Sequence, residues 1–458
     1  MSNTPPENPA PTSPFARLLR EAGVSDTRFA CQVNARARQQ RKIELGLART
    51  TVGHWRRGMR PRDPMVAELA AAEMSAALGY PVLPADLGWR GESYSHDDLG
   101  LSGANAPVET LRTLAGLSGR DMRRRDLLHD GTAFIASAFA EPVLSSLTGV
   151  VDRIVGAPPP VAGGGALIRD VTENFRKLDA KFGGSEIRPQ AVSFLHDQTR
   201  AARDNRPNPD LFSALAELTQ FCGWLAQDGQ REALAQRYYI QALSLAEHAD
   251  DAMLAGRILS GMSDQAAQLG HPRQSLALAR AALRRSWRHS TSAVRAMLYD
   301  KNAWALARNR DESGCLRALD DMDEAIARDD GAGPSWAGHY NAGDAAECRG
   351  HCLLLLERPR EAADMLVEAR TLQGAARART RSYAEADLAL AYLRRPAAEL
   401  EGALEAAYRA VAVAGQVSSQ RIATKLAELD EEFGKHPTVA SREWREQARP
   451  LLPATSAA

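Results

Sequence analysis

The chain has 458 residues, of which 44% are hydrophobic and only 6% aromatic, and its formal net charge is zero. This length accommodates two to four domains, and no apolar run approaches the roughly 20 residues that a membrane span needs. The abundance of Ala, Leu and Arg and the scarcity of β-branched residues favour helices over strands. Five scattered cysteines argue against a disulfide framework, and with no export signal in view we expect a cytoplasmic protein without a membrane partner.

Charge is unevenly spread along the chain. Between Phe15 and Arg62 there are 12 Lys and Arg against 3 Asp and Glu, a net charge of +9, so the remaining residues carry −9. Concentrated charge of one sign repels itself unless a partner neutralises it. The pattern predicts a polyanion-binding module attached to a mildly acidic body.

Four short helices are predicted before residue 90. Apolar side chains at helical spacing give each helix one inward face, and Pro84–Trp89 closes the module. The first three predicted helices are Phe15–Ala22, Thr27 to about Gln39, and Arg49 to about Arg57. The fourth begins at Pro64, and its spacing places Met65, Val66, Leu69, Ala72, Ala76 and Leu78 on one side.

The third predicted helix has the features of a DNA-recognition helix. Thr50 and Thr51 stand where they can cap it, and Val52 and Trp55 share a face that can anchor it in a small core. Gly58 supplies a C-cap. The remaining face and the basic neighbours are then available for base edges and phosphates. The predicted DNA-binding residues are Arg41, Lys42, Arg49, Thr50, Thr51, Gly53, His54, Arg56, Arg57, Arg60 and Arg62.

The connection to the preceding helix departs from an ordinary helix-turn-helix. About ten residues, 39–48, separate the two helices, whereas three or four are usual. Either the second helix is long, or the turn carries a basic loop.

The rest of the chain reads as a helical body with repeated interruptions. We predict tails at 1–14 and 453–458, a helix-turn-helix domain at 15–89, a linker at 90–120, a helical connecting segment at 121–205 and a repeat domain at 206–452. Small residues (Cys222, Ser263, Ala303 and Gly350) lie near the middle of the helix before a turn. Five turns, spaced by about 37 to 48 residues, each separate two amphipathic helices: 227–230, 268–271, 308–311, 356–359 and 393–396.

Five stretches of the sequence carry a resemblance to known proteins: Thr51–Gly58, Arg60–Arg62, Ala85–Gly88, Arg124–Leu128 and Phe182–Gly184. With these stretches the chain resembles a family of actinobacterial transcriptional regulators. The resemblance implies an all-α fold with an N-terminal phage-repressor-type helix-turn-helix bundle and a C-terminal tetratricopeptide-like α-solenoid. It also implies double-stranded DNA as a partner, a homodimer, and a role in development or secondary metabolism.

A tetratricopeptide-like superhelix offers a concave groove for a peptide or small-molecule effector. Peptide-sensing regulators of Gram-positive bacteria share this domain order, which supports the idea by analogy alone. The alternative is that the lining residues are ordinary solvated or interhelical polar groups. The candidate ligand-binding residues are Arg257, Ser260, Asp264, Asp300, Trp304, Glu347 and His351.

We predict no metal site, no cofactor and no enzymatic activity. His351 with Cys348 and Cys352 lacks the second ligand pair of a structural zinc site, so the cysteines are interpreted as buried small side chains between helices. The sequence shows neither a phosphate-binding Gly-rich loop nor a nucleophile elbow. The leading hypothesis is a sequence-specific transcriptional repressor. The alternative is a protein-interaction scaffold whose basic head binds RNA or an acidic protein.

Overall fold

The fold is described from a computed structural model. It describes residues 13–41, 43–61, 63–78, 82, 84, 86–89, 99–103, 106–122, 134–148, 164–203, 208–373, 378–415 and 419–453. These residues form 20 α-helices and two short 3-10 helices and contain no strand, which confirms the predicted all-α class. In the described part of the chain, no helix combines the length and the apolar character needed to cross a membrane.

The chain divides into two compact units. The first comprises residues 1–99 with 112–117, and the second comprises residues 100–111 with 118–458.

The first unit is built around an aromatic core. Phe15 stacks on Trp89 with ring centroids 5.2 Å apart, and Trp55 meets Phe15 and Trp89 edge-on at 5.9 and 5.1 Å. Val52 and Trp55 of the third helix are buried, as predicted, whereas in the fourth helix Ala76 is exposed and Met74 lies in the core. The helices are α1 (Pro14–Glu21), α2 (Asp26–Arg41), α3 (Arg49–Arg56) and α4 (Pro64–Leu78).

Four helices and a 3-10 helix lie between α4 and the helix pairs of the second unit, and residues 112–117 of the first of these helices belong to the first unit. The segment 90–120, predicted as a linker, contains most of α5. Pro107 starts this helix, and its buried residues Leu111, Leu114 and Leu117 recur at helical spacing. The elements are α5 (Pro107–Asp121), the 3-10 helix Ala136–Phe139, α6 (Ala140–Thr148), α7 (Gly164–Phe182) and α8 (Gly184–Arg203).

Six consecutive helix pairs form the solenoid. The first helices of successive pairs contact one another, and each second helix packs on its own partner and on the next first helix. The first helices therefore line the inner side and the second helices lie outside. The pairs are α9 (Pro209–Asp228) with α10 (Glu232–His248), α11 (Ala252–Gln268) with α12 (Pro272–Ser286), α13 (Ser292–Arg308) with α14 (Glu312–Ala327), α15 (Ala342–Leu355) with α16 (Pro359–Leu372), α17 (Ala378–Leu393) with α18 (Leu400–Ala414), and α19 (Gln420–Gly434) with α20 (Val439–Ala448).

The turns within the first four pairs share one conformation. In each, a residue with left-handed φ is followed by a residue whose backbone N–H donates to the carbonyl five residues earlier, at 2.8–3.0 Å. This is the Schellman ending of a helix, which satisfies its last carbonyls. All five interruptions predicted from sequence fall between the two helices of a pair. The left-handed residues are Gln230, Gly270, Arg310 and Glu357.

Small residues let the paired helices approach closely. A Cβ on Gly350 would lie 2.6 Å from Leu366 Cγ, so no other residue fits there without a shift. Ser263 donates a hydrogen bond from its hydroxyl to the Ser275 carbonyl at 2.8 Å. Cys222 and Ala303 are likewise buried. The sequence spacing of small side chains thus identified real helix–helix contacts, while membership of the tetratricopeptide family remains a prediction.

Candidate nucleic-acid interface and inner face of the repeat domain

Helix α3 is fixed to the first unit through one face. Val52 is fully buried and Trp55 is 3% exposed, as their spacing predicted. Because these two side chains occupy one side of an eight-residue helix, the opposite side faces solvent.

The exposed side of α3, together with its C-cap, carries four of the eleven predicted DNA-binding residues. Thr50, His54 and Arg57 form one stripe at helical spacing, and all three are exposed. Arg49 is exposed at the N-terminus of the helix, whereas Thr51 and Gly53 are half-buried beside the stripe. The helix has eight residues, and an α-helix with its side chains is about 10–12 Å across, which suits the roughly 12 Å width of a DNA major groove.

The predicted capping of α3 by threonine is wrong. The N-cap residue is Ala48, whose side chain cannot accept a hydrogen bond, and Thr50 and Thr51 lie inside the first turn. The helix begins at Arg49, as predicted, so Ala48 and not a threonine stands at the N-cap. The first backbone N–H groups of α3 are consequently left without a side-chain cap.

Asn34 of α2 holds the segment that leads into α3. Its side-chain amide donates to the Leu47 carbonyl, and its side-chain oxygen accepts from the Leu47 N–H, both at 2.9 Å. α2 extends to Arg41 and residues 43–48 lack regular structure, so the second helix is long and an irregular segment also follows it. This clamp, which sequence analysis missed, sets where α3 begins.

The remaining basic residues differ in how they are held. The Arg56 guanidinium pairs with the Asp26 carboxylate at 3.2 Å, and the backbone carbonyl of Arg56 accepts from the Ser13 hydroxyl at 2.7 Å. Arg60 is exposed after the helix. The side chain of Arg41, and Lys42 and Arg62 entirely, lie outside the described residues.

Replacing Asn34 with alanine is expected to weaken the DNA binding predicted for α3 roughly tenfold while leaving the first unit folded. Two hydrogen bonds of about 0.5–1.5 kcal/mol each would be lost from the segment that positions α3. A DNA titration by fluorescence anisotropy measures the effect. Gln39→Ala, an exposed position on the same helix, serves as the control. Unchanged affinity of Asn34→Ala would show that the clamp does not position the interface.

The candidate ligand-binding residues lie on three neighbouring first helices. Asp264 of α11 accepts from the side-chain amides of Gln227 and Gln268 at 3.1 and 2.8 Å. Ser260 donates to the carbonyl of Arg257 on its own helix, and the Arg257 guanidinium lies 4.9 Å from the Trp336 ring centre.

The candidates on α13 and α15 are also engaged with neighbours. Asp300 accepts from the Tyr340 hydroxyl at 2.9 Å and pairs with Lys301 at 3.1 Å. The Trp304 ring centre lies 5.4 Å from that of His351. Burial, reinforced by Asp300 and Asp387, raises the pKa of Glu347 to about 8.

Side chains from α17 and α19 complete this inner face. Asp387 accepts from His351 Nδ1 at 2.7 Å and pairs with the Lys425 ammonium at 2.5 Å. Burial opposes ionisation of Asp387, but Lys425 and His351 hold its pKa well below the usual range. Arg421 pairs with Asp264 at 3.3 Å and lies 4.9 Å from the Trp224 ring centre. α19 therefore bridges back to α9 and α11 across the concave side.

Sequence analysis missed Asp387, Lys425, Arg421 and Arg308, which belong to this inner face. One signal was present for Asp387: it is a lone charge in the apolar run Ala386–Tyr392. A charged residue inside a buried helix generally has a partner.

The cysteines of α15 lie in the hydrophobic core. Cys348 and Cys352 are buried in the same cluster as Cys315, Ala303 and Leu319. They therefore pack as small side chains between helices, as predicted. Among the described residues, no group of three or more His, Cys, Asp or Glu is arranged to hold a metal ion.

Comparison with known families concerns the first unit. A family model, the SP15 N-terminal domain, matches residues 15–90. The matched range begins at Phe15 and ends one residue after Trp89, the two rings that stack in the aromatic core. No curated protein matches the chain.

Proposed function

We propose that this protein is a sequence-specific regulator that binds double-stranded DNA through α3. The observation that carries the proposal is the division of this helix into two sides. Val52 and Trp55 fix one side in the core, while Arg49, Thr50 and His54 stand exposed on the other. A short helix held in this way and projecting basic and hydroxyl groups suits a major groove.

Two further features support binding to phosphates. The uncapped N-terminus of α3 offers backbone N–H groups and the positive end of the helix dipole. The net charge of +9 between Phe15 and Arg62 would attract any nucleic acid.

The proposal includes a homodimer and an effector. One α3 covers a half-site only, so two copies reading two half-sites would provide the selectivity that regulation needs. The repeat domain would join the copies and bind a peptide or small molecule that shifts their affinity for DNA. The cytoplasm would supply both the DNA and the reducing conditions for the cysteines. Repression of developmental or secondary-metabolism genes is the regulatory role that we propose.

The competing function is an interaction scaffold whose basic head binds RNA or an acidic protein. A mobility-shift assay on DNA from the gene's own promoter separates the two, with excess unrelated DNA and a matched RNA as competitors. A complex that resists unrelated DNA and RNA supports the regulator. A complex that RNA removes as readily as promoter DNA favours the scaffold.

Two substitutions on this surface should have different effects. Arg49→Ala should lose about 1–3 kcal/mol of discrimination at one base position. Arg57→Ala should weaken all sequences alike and reduce the slope of log affinity against log salt by about one. Affinities of both variants for promoter DNA and for single-base variants of it, each at several salt concentrations, measure this. Identical behaviour of the two variants would contradict the assigned roles.

A further inference from the structure

A cluster of polar groups surrounds Trp304 on the inner face of the repeat domain. The Arg308 guanidinium carbon lies 5.0 Å from the centre of the Trp304 ring, and the Lys301 ammonium lies 5.3 Å from it. These three residues are three and four positions apart on α13, so they share one face of the helix. The His351 ring of α15 is 5.4 Å away. Two cations, an indole and an imidazole therefore meet where two first helices adjoin.

Three nitrogen atoms of this cluster are buried without a hydrogen-bond partner among the described residues. They are Nε1 of Trp304, Nε of Arg308 and Nε2 of His351. The first two nitrogens always carry a hydrogen and cannot accept, so an acceptor alone can satisfy them. Buried donors without an acceptor destabilise a fold, and their presence in one place calls for an explanation.

The charges of the cluster are unbalanced at one position. Lys301 pairs with Asp300, and Lys425 pairs with Asp387. Arg308, by contrast, has no carboxylate within ion-pair distance in the ranges that the structure describes. Burial lowers the pKa of Arg308, which reflects an incompletely compensated charge. One positive charge and two N–H donors thus remain to be matched.

We propose that this cluster binds the carboxylate group of a small organic ligand. One negative charge would neutralise Arg308, and the two carboxylate oxygens would accept from Trp304 Nε1 and Arg308 Nε. A doubly charged phosphate suits the cluster less well, because Asp264, Glu428 and Asp387 all lie in the electrostatic surroundings of Arg308.

The contacts of α19 favour a small ligand over an extended peptide. Arg421 reaches from α19 to Asp264 of α11 and to Trp224 of α9. A peptide running the length of the concave side would have to break these contacts. A single carboxylate group beside Trp304 leaves them in place.

Ligand binding at the cluster requires no DNA. Only its consequence, a change in operator affinity, rests on the proposed function. A ligand that binds without altering DNA affinity would leave the site standing and remove its role as an effector site. Failure of the protein to bind DNA would leave the binding measurement itself intact.

The test uses the full chain labelled with ¹⁵N on its tryptophan indoles. Trp304→Phe identifies the Trp304 indole N–H signal in the NMR spectrum. Acetate, its neutral analogue acetamide and inorganic phosphate are titrated separately at constant ionic strength. The key variant is Arg308→Gln, and its matched control is Arg310→Gln, which removes an exposed arginine paired with Glu357.

Acetate should shift the Trp304 signal saturably, with an affinity in the millimolar range, and acetamide should not. Arg308→Gln should weaken acetate binding at least tenfold, while Arg310→Gln leaves it unchanged. The proposal is overturned if acetate causes no saturable shift, if acetamide matches it, or if Arg308→Gln retains full affinity. Tighter binding of phosphate than of acetate would also overturn the assignment to a carboxylate. The comparison of acetate with acetamide on the unaltered chain needs no variant to fold.

Discussion

Replacing Trp55 with alanine is expected to unfold the first unit and abolish the proposed DNA binding. Trp55 is 3% exposed and joins α3 to Phe15 and Trp89 through ring contacts at 5.9 and 5.1 Å. Truncating a buried tryptophan costs about 3–5 kcal/mol. A unit of this size has a stability near the lower end of the usual range of about 5–15 kcal/mol, so most of it would be lost.

Hydrogen-exchange mass spectrometry can follow this loss unit by unit. Peptides from α1 to α4 should lose protection in Trp55→Ala, while peptides from α9 to α12 keep it. Thr50→Ala is the matched control, because Thr50 is exposed on the same helix. This variant should stay protected and lose only part of its DNA affinity. Normal protection together with normal affinity in Trp55→Ala would show that the aromatic core does not hold the interface.

Local signals made the anchor of α3 and the solenoid turns predictable. Val52 and Trp55 are three residues apart, and this spacing alone places both on one face. The turns at 227–230 and 268–271 interrupt apolar periodicity within a few residues. Their common left-handed conformation explains why the interruptions recur. Such features depend on neighbours in sequence, which a single chain displays.

Contacts between distant residues could not be predicted in the same way. Whether Arg421 meets Asp264 depends on the curvature of the superhelix, which sums small rotations from one pair to the next. The uncapped start of α3 depends likewise on Asn34, whose partner Leu47 lies in an irregular segment. In α4 the alanine-rich sequence offers little contrast between faces, and for that reason Ala76 was placed inward wrongly.

Replacing Asp387 with asparagine is expected to destabilise the repeat domain by about 3 kcal/mol. The carboxylate is 1% exposed and accepts from His351 while pairing with Lys425. Asparagine has nearly the same shape but no charge, so Lys425 would lose its buried partner. Breaking a buried ion pair costs about 3–5 kcal/mol. The lower end applies because Lys425 keeps Glu428 at 2.8 Å.

Urea unfolding followed by circular dichroism measures this effect. With a slope of roughly 3 kcal/mol per molar urea, the midpoint should fall by about 1 M. The control is Glu324→Gln, which removes an exposed ion pair with Arg328 and should change stability by less than about 0.5 kcal/mol. Equal urea midpoints for Asp387→Asn and Glu324→Gln would mean that the buried pairs of Asp387 stabilise the fold no more than an exposed ion pair does.

The pH dependence of the urea midpoint tests whether the charge of Asp387 is what stabilises the repeat domain. Lys425 and His351 hold the pKa of Asp387 in the folded protein below its ordinary value of about 4. The ionised carboxylate therefore stabilises the fold at any pH above that ordinary value. This stabilisation is lost as the pH falls through the lower pKa of the folded state. The difference in the free energy of unfolding between the unaltered chain and Asp387→Asn should therefore narrow as the pH falls below 4. A difference that persists undiminished at pH 3 would indicate that packing, and not charge, carries the effect. The inner face would then be held by shape, and the ion pair between Asp387 and Lys425 would not be what stabilises it.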